Sequence, residues 1–231
     1  MQKKLAKREA IVQAAIEVFG KNSFRDSNIR EIAKRANVAE GTIYKYFKDK
    51  EDLFFSIPVE KTKGYVKELD LHLQGITGAP NKIRKFIWYY IHFFKANPEY
   101  GRVILLEMRV SKRFIKTRTY NSLRKSTRQI LDILKEGQEE GTIRKDVDIY
   151  LLRQLILGIL EHVVSRWLLK EQKYDLLERH KGVGDLVLHG VLEPKFFKIW
   201  FVSKEMKMRE SESKWITTHA YFVVTIASWE V

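Results

Sequence analysis

The stretch Asn37-Val38-Ala39-Glu40-Gly41-Thr42-Ile43-Tyr44-Lys45-Tyr46-Phe47 follows a helix start at Asn28-Ile29-Arg30-Glu31-Ile32-Ala33, and it constrains this chain more than any other feature. It reads as the turn and second helix of a helix-turn-helix. Asn28 is a good N-cap and Glu31 stands three residues on, so the pair can satisfy each other's orphan backbone donors as a capping box. Ile32, Ala33 and Ala36 then repeat at helical spacing and leave room for the next helix to cross closely, with Val38 as the apolar plug of the turn. The second helix is short and leaves Thr42, Tyr44, Lys45 and Tyr46 facing outward. Hydroxyl and amine donors crowded onto one exposed turn suit contacts to phosphate oxygens and base edges in a major groove.

Residues 8–55 resemble the DNA-binding domain of the TetR family of transcriptional repressors. The run from Arg8 to Gly20 is similar to that family's first helix. Gly41-Thr42-Ile43-Tyr44-Lys45-Tyr46-Phe47, followed by Lys50-Glu51-Asp52-Leu53-Phe54, resembles its most diagnostic run. The resemblance implies that Thr42 contacts phosphate or base, that Tyr44 and Tyr46 clamp the DNA backbone, and that Lys50 reaches phosphate from the next helix. Arg30 and Lys45 are its candidate base readers. Three positions depart from the family pattern: Asn37 and Ser23 stand where glycines are usual, and Ala39 where a capping serine or threonine is usual. Asn tolerates the left-handed conformation, so the change at Asn37 is mild. An uncapped recognition helix costs about 1 kcal/mol. The basic arm of residues 2–8 either adds phosphate and minor-groove contacts or is a plain chain end.

The net charge of +14, with a pI near 9.7, supplies the salt-sensitive attraction to a polyanion that a DNA reader uses. Charge alone does not separate DNA from an anionic membrane surface. With no cysteine, disulfides, thiolate metal sites and cysteine nucleophiles are all excluded. Charge interrupts Leu5-Ala6 before a secretory h-region can form, and no apolar run approaches the roughly 20 residues a spanning helix needs. The expectation is a cytoplasmic protein.

Beyond residue 50 the chain is helical almost to residue 192. Residues 50–73 predict a long helix that Pro58 and Gly64 bend or divide. Gly75, Gly78 and Pro80 break the pattern and Asn81 is placed to cap the next helix. Residues 82–95 are apolar nearly all round, which marks a central helix, and Asn97-Pro98 stops it. A segment from Val103 to Met108 precedes a basic cluster at Arg109, Lys112, Arg113 and Lys116. An amphipathic helix is expected over 118–140 on Leu123, Ile130 and Leu134, and an apolar stripe over 148–170. Gly158 lies on another face of that stripe, where a partner helix can approach. A last helix is expected from about 174 to 191. Two C-terminal helices this apolar offer more surface than one protomer covers, which points to a homodimer reading a palindromic double-stranded operator.

Residues 193–231 hold three of the five tryptophans and end in a strand-like run from Trp215 to Ile226. Three readings stay open there: an extension packing on the rest or across a dimer, a non-native end, and a partner-binding or membrane-surface segment. Enzymatic motifs are missing, since none of the six histidines is metal-spaced and no nucleophile elbow or phosphate loop occurs. Glu161 and His162 point about 100° apart on a helix, and His162 is expected in a pocket or core.

The sensor half carries a second resemblance. Leu105-Leu106-Glu107-Met108-Arg109, the run Ile133 to Gly141, Gly158 to Trp167 and Lys173-Tyr174-Asp175-Leu176 look like the ligand domain of the TetR-type fatty-acid-degradation regulators, which respond to long-chain acyl-CoA. An acyl-CoA needs an apolar tunnel ending beside cations. Phe86, Tyr90, Phe93, Leu106 and Trp167 are the expected tunnel; Arg109, with Arg102, Lys112 or Arg113, is the expected head-group site. The sequence thus predicts an all-α chain with a helix-turn-helix domain over 1–50, a ligand-binding and dimerisation domain over 51–192 and an atypical extension over 193–231. Its expected role is a repressor of fatty-acid metabolism genes released by long-chain acyl-CoA, with no catalytic residues, metal or cofactor. The alternatives are a TetR-type repressor sensing another hydrophobic small molecule, such as an efflux regulator, and a structural DNA-binding protein.

Overall fold

The computed structural model describes residues 2–117, 119–120 and 127–191, and among these it contains helices and turns but no strand. Helix α1 (Gln2–Asp26) buries Ile11, Val12, Ala15, Ile16 and Phe19 against α2 (Ile29–Arg35) and α4 (Lys50–Leu73). Between them lies the one-turn helix α3 (Glu40–Ile43). The cap at Asn28 forms, with Glu31 N donating to Asn28 Oδ1 at 2.8 Å. The Glu31 carboxylate accepts from Asn22 Nδ2 at 3.1 and 3.2 Å, so it ties α2 to α1 rather than closing the box on Asn28.

Two of the three departures from the family pattern alter the backbone, and the third leaves a helix end without a side-chain cap. Asn37 takes φ 52°, the left-handed turn conformation a glycine would have supplied. Ala39 caps α3 with no side-chain hydrogen bond. Ser23 sits at φ 66°, ψ 163° inside α1, a conformation almost confined to glycine, and kinks the helix there.

Helix α4 runs through Pro58 and Gly64 without being divided, and Pro58 is buried. Helix α5 (Ala79–Ala96) is the central one: Ile83, Phe86, Ile87, Tyr89, Ile91 and Phe94 are all buried, on faces that meet five other α-helices. Its cap is Gly78, not Asn81, whose Nδ2 donates back to Thr77 O at 3.0 Å. Proline at the first turn has no orphan N–H to satisfy, which suits the early start. After α6 (Pro98–Gly101) the chain winds as a π-helix over Arg102–Met108. A 3-10 turn (Phe114–Lys116) follows.

Of the amphipathic helix expected over 118–140, α7 (Arg128–Glu139) is described, ending before Gly141 at φ 68°; Leu123 lies outside the described residues. Helix α8 (Ile149–Leu169) starts where Asp148 Oδ1 accepts from Tyr150 N at 2.8 Å and Leu151 N at 3.2 Å. The expected last helix divides into a 3-10 turn (Leu176–Glu178) and α9 (Arg179–His189). The extension over 193–231 lies outside the described residues.

Candidate DNA reader and effector cavity

The turn and α3 present the expected set of donors. Tyr44 is half exposed, Lys45 is exposed, and Thr42 and Tyr46 are partly so, while Ile43 and Phe47 anchor the segment in the core. The turn continues past α3, with Tyr46 N and Phe47 N both donating to Ile43 O at 2.9 and 3.0 Å. Arg30 projects into solvent 3.8 Å from Glu40. Lys50 requires a correction. Its Nζ donates to Phe24 O and Ser27 O at 2.8 Å each and approaches Arg25 O at 3.4 Å, over the Phe24 ring. An ammonium has three donors, and all three are spent on the carbonyls at the end of α1. Lys50 therefore fastens α4 to α1 in this arrangement, with its ammonium turned to the end of α1 rather than outward with Tyr44 and Lys45.

The effector half contains a partly open cavity of about 50 Å³ between α4, α5, the π-helix and α8. Tyr65, Phe86, Tyr90, Phe93, Phe94 and Tyr100 give it aromatic walls, with Ile104, Leu105 and Leu157 beside them. Arg109 and Glu161 stand at its edge as an ion pair. Both also line an adjoining open vestibule of about 480 Å³, whose other walls include Tyr120, Thr127, Arg153 and Gln154. Burial pushes the Glu161 carboxyl up, and the Arg109 guanidinium pulls it back down. Burial also raises the Tyr90 hydroxyl, and the nearby Glu161 charge raises it further.

Phe86, Tyr90, Phe93 and Arg109 come together as expected from sequence; Leu106 and Trp167 do not join them. In a π-helix successive side chains are rotated less than 100° apart, so Leu105 rather than Leu106 faces the cavity. Trp167 is buried elsewhere, its Nε1 donating to Tyr174 O at 2.9 Å to hold the loop after α8. Of the other expected cations, Arg113 pairs with Glu51 at 2.9 Å, and neither Arg102 nor Lys112 lines cavity or vestibule. Arg153 was missed. Its Nε is buried and without a hydrogen-bond partner at the vestibule wall, and the spacing Arg153, Leu157, Glu161 along one helix face was the available signal. His162 is exposed, on the face opposite Leu160 and Val164.

Reader and cavity share the π-helix. Ile104 and Leu105 face the cavity, while Glu107 Oε2 accepts from Phe24 N at 2.7 Å at the end of α1. Burial pushes the Glu107 carboxyl up against the lowering effect of that N–H. Nearby, Gly20 lies so close to α6 that a Cβ there would sit 2.7 Å from Glu99 Cβ and 2.8 Å from its backbone, so only glycine allows this approach. The end of α1 is therefore gripped from the sensor side by Glu99 and Glu107 and from α4 by Lys50.

Residues 11–57 match the family model described as bacterial regulatory proteins, tetR family, and residues 59–190 the one described as YsiA-like protein, C-terminal region. The chain is 33% identical over 192 residues to the fatty acid metabolism regulator protein of Bacillus subtilis (strain 168), covering 83% of this chain and 98% of that one. It is 27% identical over 194 residues to the HTH-type transcriptional regulator AcrR of Shigella flexneri, covering 80% and 89%. Among solved structures it matches the fatty acid degradation regulator FadR from Bacillus halodurans with TM-score 0.75 and 32% identity, over 80% of this chain and 95% of that one. It matches the transcriptional regulator FadR from Bacillus subtilis in complex with stearoyl-CoA with TM-score 0.73 and 33% identity, over 79% and 98%.

Proposed function

The chain belongs to the TetR family of bacterial regulatory proteins and is a DNA-binding transcriptional regulator, and from that premise we propose that it represses fatty-acid metabolism genes and is released by long-chain acyl-CoA. In this reading it is a cytoplasmic homodimer without enzymatic activity. Residues 1–50 read DNA through Arg30, Thr42, Tyr44, Lys45 and Tyr46, and residues 51–192 bind the effector and the second protomer. No helix among the described residues is long and apolar enough to cross a membrane.

The observation that carries the effector reading is an aromatic-walled cavity adjoining, past Arg109, a vestibule of mixed polar and apolar lining that holds a second cation, Arg153. An amphiphile with a long apolar tail and a phosphorylated head has a place for each part there. The relative solved with stearoyl-CoA shows that a similar protein accepts such a molecule.

Size decides the mechanism. Small-molecule sites occupy about 300–1,000 Å³, and the cavity holds about 50 Å³. In this reading a tail longer than the cavity parts α5 and α8 from the π-helix, and the π-helix holds Phe24 through Glu107. Ligand thus favours a second arrangement of the two readers over the one that fits successive major grooves, a population shift with a coupling of about 5–150-fold.

The test starts from an operator selected from random DNA. Stearoyl-CoA at micromolar concentration is expected to release it, Arg109→Ala to blunt the release, and free CoA or a short acyl-CoA to do little. Indifference to every acyl-CoA would leave the family assignment intact and reject this effector.

A further inference from the structure

Among the described residues, Glu161 and Arg109 are the only acid and the only base lining the cavity. They stand where it meets the vestibule, since both line both spaces. Glu161 is the more enclosed of the two, with 24% of its side chain exposed against 42% for Arg109. A buried carboxylate is kept charged by its partner and by little else. Glu161 shares the cavity lining with the buried Tyr90.

We infer that Glu161 is a charge filter that admits a neutral acyl thioester and excludes the free fatty acid of the same chain length. This rests on the acyl-CoA reading and names what selects within it. A free fatty acid carries its negative charge on the atom that ends the tail. Seated in the cavity, that carboxylate would lie beside Glu161 and compete with it for Arg109, leaving two acids to share one guanidinium. Like charges placed this way are strongly unfavourable. A thioester presents an uncharged carbonyl at the same depth. It needs one donor, and Arg109 has five, so the carbonyl can be served without breaking the ion pair. The first negative charges of CoA follow the uncharged pantetheine arm and so lie well away from Glu161.

Neutralising Glu161 removes the discrimination, because Arg109 is then left with a charge that a fatty-acid carboxylate can pair. Calorimetric titration of the full chain with stearoyl-CoA, stearate and stearamide provides the test. The wild type is expected to bind stearoyl-CoA and stearamide and to bind stearate at least about tenfold more weakly than stearamide, because juxtaposed like charges disfavour it by at least that factor. Glu161→Gln is expected to gain at least about tenfold for stearate by the same reasoning, and Glu161→Asp, which keeps the charge, to gain little. Wild-type stearate binding as tight as stearamide binding overturns the filter without any variant. So does a Glu161→Gln protein that remains as poor a stearate binder as the wild type. If wild-type protein binds stearamide but not stearoyl-CoA, the acyl-CoA reading fails and the filter stands or falls on the stearate comparison alone.

Discussion

Ser23 and Asn37 both hold a positive φ, yet they are not equally costly. Asn37, at φ 52°, lies in the left-handed region that asparagine visits readily. Ser23, at φ 66° and ψ 163°, lies where almost only glycine is found. Strain of this kind is of the order of 1–3 kcal/mol, offset in part by the Ser23 Oγ contact to Asp26 Oδ2 at 3.0 Å. Ser23→Gly is therefore expected to stabilise the protein by about 1 kcal/mol, read as a higher urea midpoint at unchanged slope. Asn37→Gly should shift the midpoint by no more than about a few tenths of that energy. Sequence alone marked both positions as departures and excused Asn37 on sound grounds. The ranking was hidden because it depends on ψ at Ser23, which is set by how α1 is gripped at Gly20, Phe24 and Ser27, contacts 23 to 83 residues distant along the chain.

At the scale of elements, the DNA reader is held together by a lysine that its own sequence run offered as a DNA contact. Lys50 joins the first turn of α4 to three carbonyls at the end of α1. Hydrogen bonds to a charged group contribute about 1.5–3 kcal/mol net, so Lys50→Ala is expected to lower stability by about 2 kcal/mol. The slope of log affinity against log salt should stay as in the wild type. Lys45→Ala should do the reverse, leaving the melting temperature in place and reducing that slope by about one unit. Helix by helix, the periodicity of α5 and α8 was legible because burial and spacing repeat locally. The Lys50 cage, the π-winding of residues 102–108 and the displacement of Trp167 from the cavity were not. Each arises from residues far apart in the chain competing for the same space or the same donor.

For the whole molecule, the outer face of α8 remains apolar after the protomer is built. Leu151, Leu155 and Ile159 are exposed at four-residue spacing, with Gly158 open beside them, and Leu186 of α9 is 75% exposed. A stripe of this length on a monomer marks an interface, and its self-complementary form is a two-fold. The apolar character of both helices was plain in the sequence. Which of the neighbours Leu186 and Val187 looks outward was not, because it depends on how α9 packs against α5. The structure separates them: Val187 is 7% exposed. Leu186→Glu is accordingly expected to give folded monomers in sedimentation, with a melting transition close to the wild type's at equal protomer concentration apart from the lost dimer contribution. Val187→Glu puts a charge into the protomer core itself and should unfold it, since an unpaired buried charge costs several kcal/mol. The folded Leu186→Glu monomer retains every DNA contact of one reader but meets only one half-site, so its affinity for a palindrome should fall to that for an isolated half-site. A Leu186→Glu protein that sediments as a dimer would move the two-fold axis off the α8–α9 face.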